Sequence, residues 1–116
     1  MVNKWEVYYV NLNPTEGSEQ QGIRPVLIIS NDAVNHNLPV FTCIPFSSIR
    51  PGARIYPTEV KLTETESGLP KESVLMLQQI RTVAISRVSS PLVSKITNEK
   101  IQKQINSALM QYFELD

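Results

Sequence analysis

Short apolar runs rich in β-branched and aromatic residues alternate along the chain with polar segments carrying glycine, proline or asparagine. The first run, "WEVYYVNL" at residues 5–12, stops at the turn signal "NPTEG". The second, Pro25 to Ser30, is unbroken from Val26 to Ile29, the pattern of a fully buried strand. "VFTCIPF" at residues 40–46 is a third, in which Pro45 demands an edge position or a bulge because it has no N–H for a ladder. "RIYPTEVKL" at residues 54–62 alternates over its second half, and "RPG" before it reads as a hairpin connection. Beyond the polar loop "TETESGLPKE", residues 73–83 predict a fifth strand, and a short sixth falls at Ile85–Val88 or Leu92–Ile96.

From Thr97 the period changes. Ile101, Ile105, Ala108, Leu109 and Tyr112 recur at three and four residues, the mark of one apolar helix face. Thr97 is the predicted N-cap, and Glu99 sits in the first turn, where the helix dipole favours a carboxylate. A run of strands followed by one terminal helix is not a βαβ alternation. It predicts a mostly β fold, a small barrel or strongly bent antiparallel sheet with a C-terminal α-helix. With no internal repeat or linker, residues 1–116 are read as one domain.

Composition narrows this further. At 41% hydrophobic and 19% charged residues, the 116-residue chain reads as an ordinary globular protein able to bury a core. The one cysteine, Cys43, excludes an internal disulfide, and its apolar strand predicts a buried, inert thiol. No apolar run approaches the ~20 residues of a membrane span, and "MVNKW" does not resemble a signal peptide, so a cytoplasmic protein is expected. Net charge is zero, so any binding to nucleic acid must rest on local placement of Arg24, Arg50, Arg54, Lys71, Arg81 and Arg87.

Several chemistries are missing. There is no glycine-rich phosphate loop, no histidine pair at helical spacing and no serine in a nucleophile-elbow context. His36, the only histidine, lies in the loop-like "NDAVNHNLP" and reads as an exposed loop residue. What stands out is "GSEQQGIRPVLIISN", residues 17–31, where Glu19, Gln20, Gln21 and Arg24 crowd together at the mouth of a buried strand. Pro25 restricts Arg24 to extended backbone, so the guanidinium is aimed. Two readings stay open from the residues alone: a surface arginine paired with Glu19, or an arginine held at a site. In "PFSSIR", Ser47 and Ser48 end a strand beside Arg50; hydroxyls and a guanidinium can hold a phosphate, and serines ending a strand are also ordinary turn chemistry.

Three stretches together give the sequence a family likeness. "VNLNPTEGSEQQGIRPVLIISND", "CIPFSSI" and "GLPKESVLMLQQIRTV" resemble, in order, the three motif regions of the MazF/PemK toxins, and the terminal helix falls where that family has one. The resemblance covers nearly the whole chain. It implies a small β-barrel of the SH3-like, CcdB/PemK type, assembled as a homodimer. It also implies a sequence-specific endoribonuclease, the toxin of a toxin–antitoxin pair, that inhibits translation by cutting single-stranded RNA. No metal or other cofactor is implied, because the RNA's own 2′-hydroxyl is the nucleophile and the products are a cyclic phosphate and a 5′-hydroxyl. A small acidic antitoxin is the implied partner, lying over Arg24, Arg81 and residues 17–22.

By the same resemblance, Arg24 and Ser47 take the catalytic positions, while Glu19, Gln20, Ser48, Gln79 and Arg81 fall on the RNA-binding surface. The chain departs from the family pattern at Trp5-Glu6, where Gly-Asp is usual, at Ser47, where threonine is usual, and at Gln78, where an acid is common. The alternative from another class is a CcdB-like toxin that acts on DNA gyrase by protein binding, with the aromatic end "QYFELD" as its contact. The retained "GSEQQGIRP" loop argues against it.

Overall fold

In a computed structural model, which describes residues 1–115, the strands form one curled antiparallel sheet closed by a terminal helix. The strands are β1 (Glu6–Asn11), β2 (Ile23–Ile28), β3 (Val40–Ser48), β4 (Glu59–Leu62), β5 (Ser73–Met76), β6 (Arg81–Ala84) and β7 (Ser94–Lys95). Three helices accompany them: α1 (Asp32–Asn35), α2 (Glu64–Ser67) and α3 (Glu99–Phe113). The sheet order is β4-β5-β3-β2-β1-β7, with β6 also on β3. Of the small barrel or strongly bent antiparallel sheet expected from the strand runs, the bent sheet is present.

β3 organises the sheet, and Pro45 organises β3. On one side β3 pairs with β2, from Val26↔Pro45 to Ile28↔Cys43. On the other side it pairs first with β6 through Cys43 and then with β5 from Phe46. Between those two ladders, the step from Phe46 to Cys43 is matched by the longer step from Leu75 to Arg81 on the partner. The surplus residues form a 3₁₀ turn at Leu77–Gln79. Pro45 has no N–H to hold a neighbour, so the partner strand leaves the ladder opposite it. The bulge that Pro45 demanded is thus on the partner, and the strand expected over 73–83 is broken in two.

Alternation along the strands divides the core. Leu27, Ile44, Phe46 and Leu75 face one cluster, closed by Ile101 and Ile105 of α3, with Ala108 and Leu109 packed against it. Val10, Val26, Ile28, Phe41 and Cys43 face a second cluster on the other side. The helix periodicity is thus realised in α3, with Tyr112 left exposed. Its N-cap is Asn98, one residue after Thr97, because the Asn98 Oδ1 accepts the Ile101 N–H at 3.1 Å.

Other boundaries move for local reasons. Residues 54–58 are irregular and β4 begins at Glu59; Gly52 turns the chain at φ +75°, but β5 lies between β3 and β4, so no hairpin joins them. The polar loop after β4 contains α2, started by a reciprocal Thr63–Glu66 capping box and ended by Gly68 in the left-handed region. "NDAVNHNLP" contains α1, capped by Asn31. Of the two places for a sixth strand, Ile85–Arg87 is a 3₁₀ turn and Ser94–Lys95 is β7.

Cys43 is fully buried, as its apolar strand required. Burial pushes its thiol from the usual 9.0 up to about 12, against the opposing pull of the nearby Arg81 guanidinium. Tyr8 is likewise raised to about 12, by burial and then by its contact with Glu6. An acid raised in the folded state contributes full stability below its unfolded pKa and loses it as pH climbs toward the folded one. Stability should therefore fall from pH 9 upward, by about 1.4 kcal/mol per pH unit for the thiol. Urea midpoints measured from pH 8 to 11 should show a shallower decline for Cys43→Ala; equal slopes would mean the thiol is not shielded.

Candidate active site

β2 and β3 part company at one end of the sheet. Their pairing stops at Val26↔Pro45, while β2 continues back to Ile23 on β1 and β3 continues to Ser48 on β5. The result is a notch with Arg24 on one lip and Ser47 on the other. Continuing the β2–β3 register two residues past Val26↔Pro45 sets Arg24 opposite Ser47. Opposed residues of an antiparallel pair point to the same face, so Arg24 and Ser47 share the face of Val26 and Cys43. Ser48 points the other way.

Arg24 is half-buried and extended, as Pro25 requires. Its Nε donates to the Gln21 carbonyl at 3.0 Å, and among the described residues nothing engages its terminal nitrogens. The pairing with Glu19 is not formed: Glu19 Oε1 accepts the Glu16 N–H at 2.6 Å and tightens its own turn. The guanidinium is thus steered by one main-chain bond and left without a counter-ion, with two ends free to donate to an anion.

The 17–22 loop is held over this face by the 3₁₀ turn. Gln79 Oε1 accepts the Gln20 N–H at 3.1 Å, and Gln79 Nε2 donates to the Ser18 carbonyl at 3.2 Å. Gln79 therefore uses both ends of its carboxamide to position the loop. Glu19, Gln79 and Arg81 line one shallow cleft with Ser18, Gln78 and Ile80. Gln20 turns its own side-chain oxygen inward, buried and without a donor. Arg81 lies opposite Cys43 in the β3–β6 register, on the Arg24 face, and its Nη1 donates to the Leu12 carbonyl at 3.1 Å. The same end of β1 is held by Arg87, whose Nη1 donates to the Asn11 carbonyl at 3.1 Å and to that of Asn13.

Ser47 lines a second hollow, of about 210 Å³, roofed by the 49–58 loop with Arg50, Arg54 and Tyr56. Arg54 stacks over the Tyr56 ring at 5.5 Å. The sequence pattern gave no site role to Tyr56; a cation beside an aromatic two residues on, in a loop next to Ser47, is the signal that could have found it. His36 stands apart. It ends α1 in the open, with Nε2 2.7 Å from Asn3 Oδ1, at the Ile28 end of β2, far along the strand from Arg24. Among the described residues no three His, Cys, Asp or Glu side chains are grouped to hold a metal ion. No described helix is long and apolar enough to cross a membrane.

Residues 3–113 match the PemK-like, MazF-like toxins of type II toxin–antitoxin systems. The chain belongs to that family. The Endoribonuclease MazF of Staphylococcus saprophyticus is 37% identical over 109 residues, covering 94% of this chain and 88% of the relative. MazF from Deinococcus radiodurans has the same fold at a TM-score of 0.80 and 20% identity, covering 97% of this chain and 96% of its own. A mycobacterial endoribonuclease, solved in complex with its cognate antitoxin, matches at 0.77 and 23% identity, over 100% of this chain and 98% of its own. The MazF/PemK likeness read from three motifs is thus found over the whole toxin fold.

Proposed function

We propose that this toxin is an endoribonuclease that cuts single-stranded RNA at short sequences, with Arg24 and Ser47 at the scissile phosphate. The observation that carries the reading is the end of the β2–β3 pairing at Val26↔Pro45, just beyond which Arg24, its terminal nitrogens unengaged among the described residues, and Ser47 alternate onto the same sheet face. The 2′-oxygen of the RNA attacks phosphorus, the new P–O bond forms as the bond to the 5′-oxygen breaks, and charge builds on the non-bridging oxygens. Arg24 stabilises that charge and Ser47 donates a hydrogen bond to the same phosphate. The 2′-proton departs and the leaving 5′-oxygen gains one, which yields a cyclic phosphate and a 5′-hydroxyl. Arg24 supplies charge and orientation here, its guanidinium being a donor with no acceptor.

Around that centre, Glu19 and Gln20 border the strand, and Gln79 acts by fixing their loop. Arg81 lines the cleft beside Glu19 and faces the same strand. The protein works as a cytoplasmic homodimer, held in check by a small acidic antitoxin that covers Arg24, Arg81 and residues 17–22. That partner should bind more weakly as salt rises and more weakly still to Arg24→Glu; affinities indifferent to both would remove it from this surface.

The test of the activity is digestion of a long single-stranded RNA by the purified, antitoxin-free protein in EDTA. Discrete cuts with 5′-hydroxyl ends, abolished by a 2′-deoxy substitution at the cut nucleotide, are expected. Intact RNA with folded protein would turn the reading toward a toxin that acts by protein binding.

A further inference from the structure

Behind the notch, on the opposite sheet face from Ser47, lies a cavity of about 250 Å³. It exists because β2 and β3 separate: Phe46 and Ser48 point into the gap from β3, and Pro25 and its register partner Tyr9 line it from β2 and β1. Leu69 and Pro70, brought in behind α2, close the far wall. The walls are mostly apolar and partly aromatic, and Ser48, Ser73, Lys71 and Arg24 supply the polar lining.

Two of those groups, Ser48 and Lys71, are exposed. Ser48 and Ser73 are register partners across β3 and β5, so their hydroxyls stand side by side. Ser73 Oγ donates to the Lys71 carbonyl at 2.9 Å, which leaves its lone pairs to accept, and Ser48 Oγ has no partner among the described residues. Among the described residues the Lys71 ammonium makes no ion pair; those formed there are His36–Asp32 and Lys61–Glu72. Arg24 lines the same cavity, so it is continuous with the phosphate site.

We propose that this cavity receives one base of the RNA strand, adjacent to the phosphate at Arg24 and Ser47, and thereby sets which nucleotide is accepted at one position beside the cut. The inference rests on the ribonuclease reading and adds a specificity site to it. The volume is below the ~300–1,000 Å³ of clefts that hold whole drug-sized ligands, and it suits one flat heterocycle. Tyr9 and Pro25, both part-exposed, give the base faces to lie against, over a floor of buried Phe46 and Leu69. The paired hydroxyls, one accepting and one free to donate, read the base edge. Lys71 meets the flanking phosphate. Ser47 and Ser48, adjacent on one strand, face opposite sides, so the strand's backbone stays on one face while its base turns through the notch to the other. Only an unpaired base can make that turn, which also accounts for a single-stranded substrate.

The experiment uses a random-sequence RNA pool cut by the wild type, Ser48→Ala, Ser48→Phe and Lys71→Ala, with the cut ends sequenced and thermal melts run on each protein. Ser48 and Lys71 are both exposed, so these variants are expected to fold. The wild type should prefer one base at a position next to the cut. Ser48→Phe, which fills the cavity, should lower cleavage at sites bearing that base by about tenfold or more and flatten the preference there alone. Ser48→Ala should flatten it partly, and Lys71→Ala should slow all sites alike. Identical preferences in folded Ser48→Phe, Ser48→Ala and wild type would overturn the base site while leaving the ribonuclease standing. A wild type that cuts no sequence would overturn the ribonuclease, and the base site with it.

Discussion

Replacing Arg24 by alanine should lower the cleavage rate by about 10²–10³-fold, the loss of one preorganised donor to a charged transition state. The estimate follows from what the side chain does in the folded protein. Among the described residues its one bond runs from Nε to the Gln21 carbonyl on the surface of the loop, and no carboxylate neutralises it. Removing it should therefore change stability by no more than about 0.5 kcal/mol, the usual range for a surface site. Rate and stability are thus expected to separate. Arg24→Lys keeps a charge but loses the planar fork and the Nε bond that aims it, so it should recover only part of the rate. The measurement is single-turnover cleavage of one defined RNA at saturating enzyme, beside a thermal melt. A rate for Arg24→Ala within threefold of wild type would take Arg24 out of the reaction.

Ser47 should behave more mildly, because a neutral hydroxyl contributes less to a developing charge than a guanidinium. The pair is asymmetric in origin as well. Arg24 is placed by local sequence, through Pro25 and the Gln21 carbonyl. Ser47 is placed by tertiary register, through the pairing that starts at Ile28↔Cys43 and runs out at Val26↔Pro45.

That asymmetry explains what the sequence could and could not reveal. The apolar runs marked most strands, and the three- and four-residue spacing marked α3, because each signal is a local period. Arg24 stood out for the same reason. The choice between Ser47 and Ser48 is invisible to such reasoning, since one residue flips a side chain to the other face of a sheet. Alignment of β2 and β3 puts Ser47 on the Arg24 face and Ser48 on the other, which is the ground on which Ser47 is proposed. The break in the strand over 73–83 was equally hidden. Its cause, Pro45, lies some thirty residues upstream and acts only through pairing. The clamp from Gln79 to the 17–22 loop depends on that break, so a residue that resemblance put at the RNA surface proves to hold the loop's backbone. Composition pointed nowhere: zero net charge hid an arginine that has no ion pair among the described residues.

The largest loss of stability outside the core is expected at Gly68. The stretch "TETESGLPKE" looked like a polar loop, yet it carries its own instructions: Thr63 and Glu66 start α2 reciprocally, and Gly68 ends it at φ +77°. A Cβ at Gly68 would overlap Ser94 Cβ and lie 2.6 Å from its Oγ. Ser94 cannot step aside freely, because its hydroxyl donates to the Ser67 carbonyl at 2.5 Å and its backbone is β7, paired with Val7 of β1. Gly68→Ala should therefore cost about 2–4 kcal/mol, from left-handed strain of about 1–2 kcal/mol plus the overlap. The two parts can be separated by adding Ser94→Gly. That change should restore the steric part of the loss and leave the backbone part, so the double variant should be more stable than Gly68→Ala alone despite losing a hydrogen bond. Urea unfolding of the four proteins reads this directly. Strictly additive losses would mean that α2 and β7 do not meet as closely as the fold places them. The consequence reaches the site, because Gly68 delivers Leu69, Pro70 and Lys71 to the wall of the base cavity. Gly68→Ala should accordingly blunt the base preference beside the cut while leaving Arg24 and Ser47 opposed across the notch.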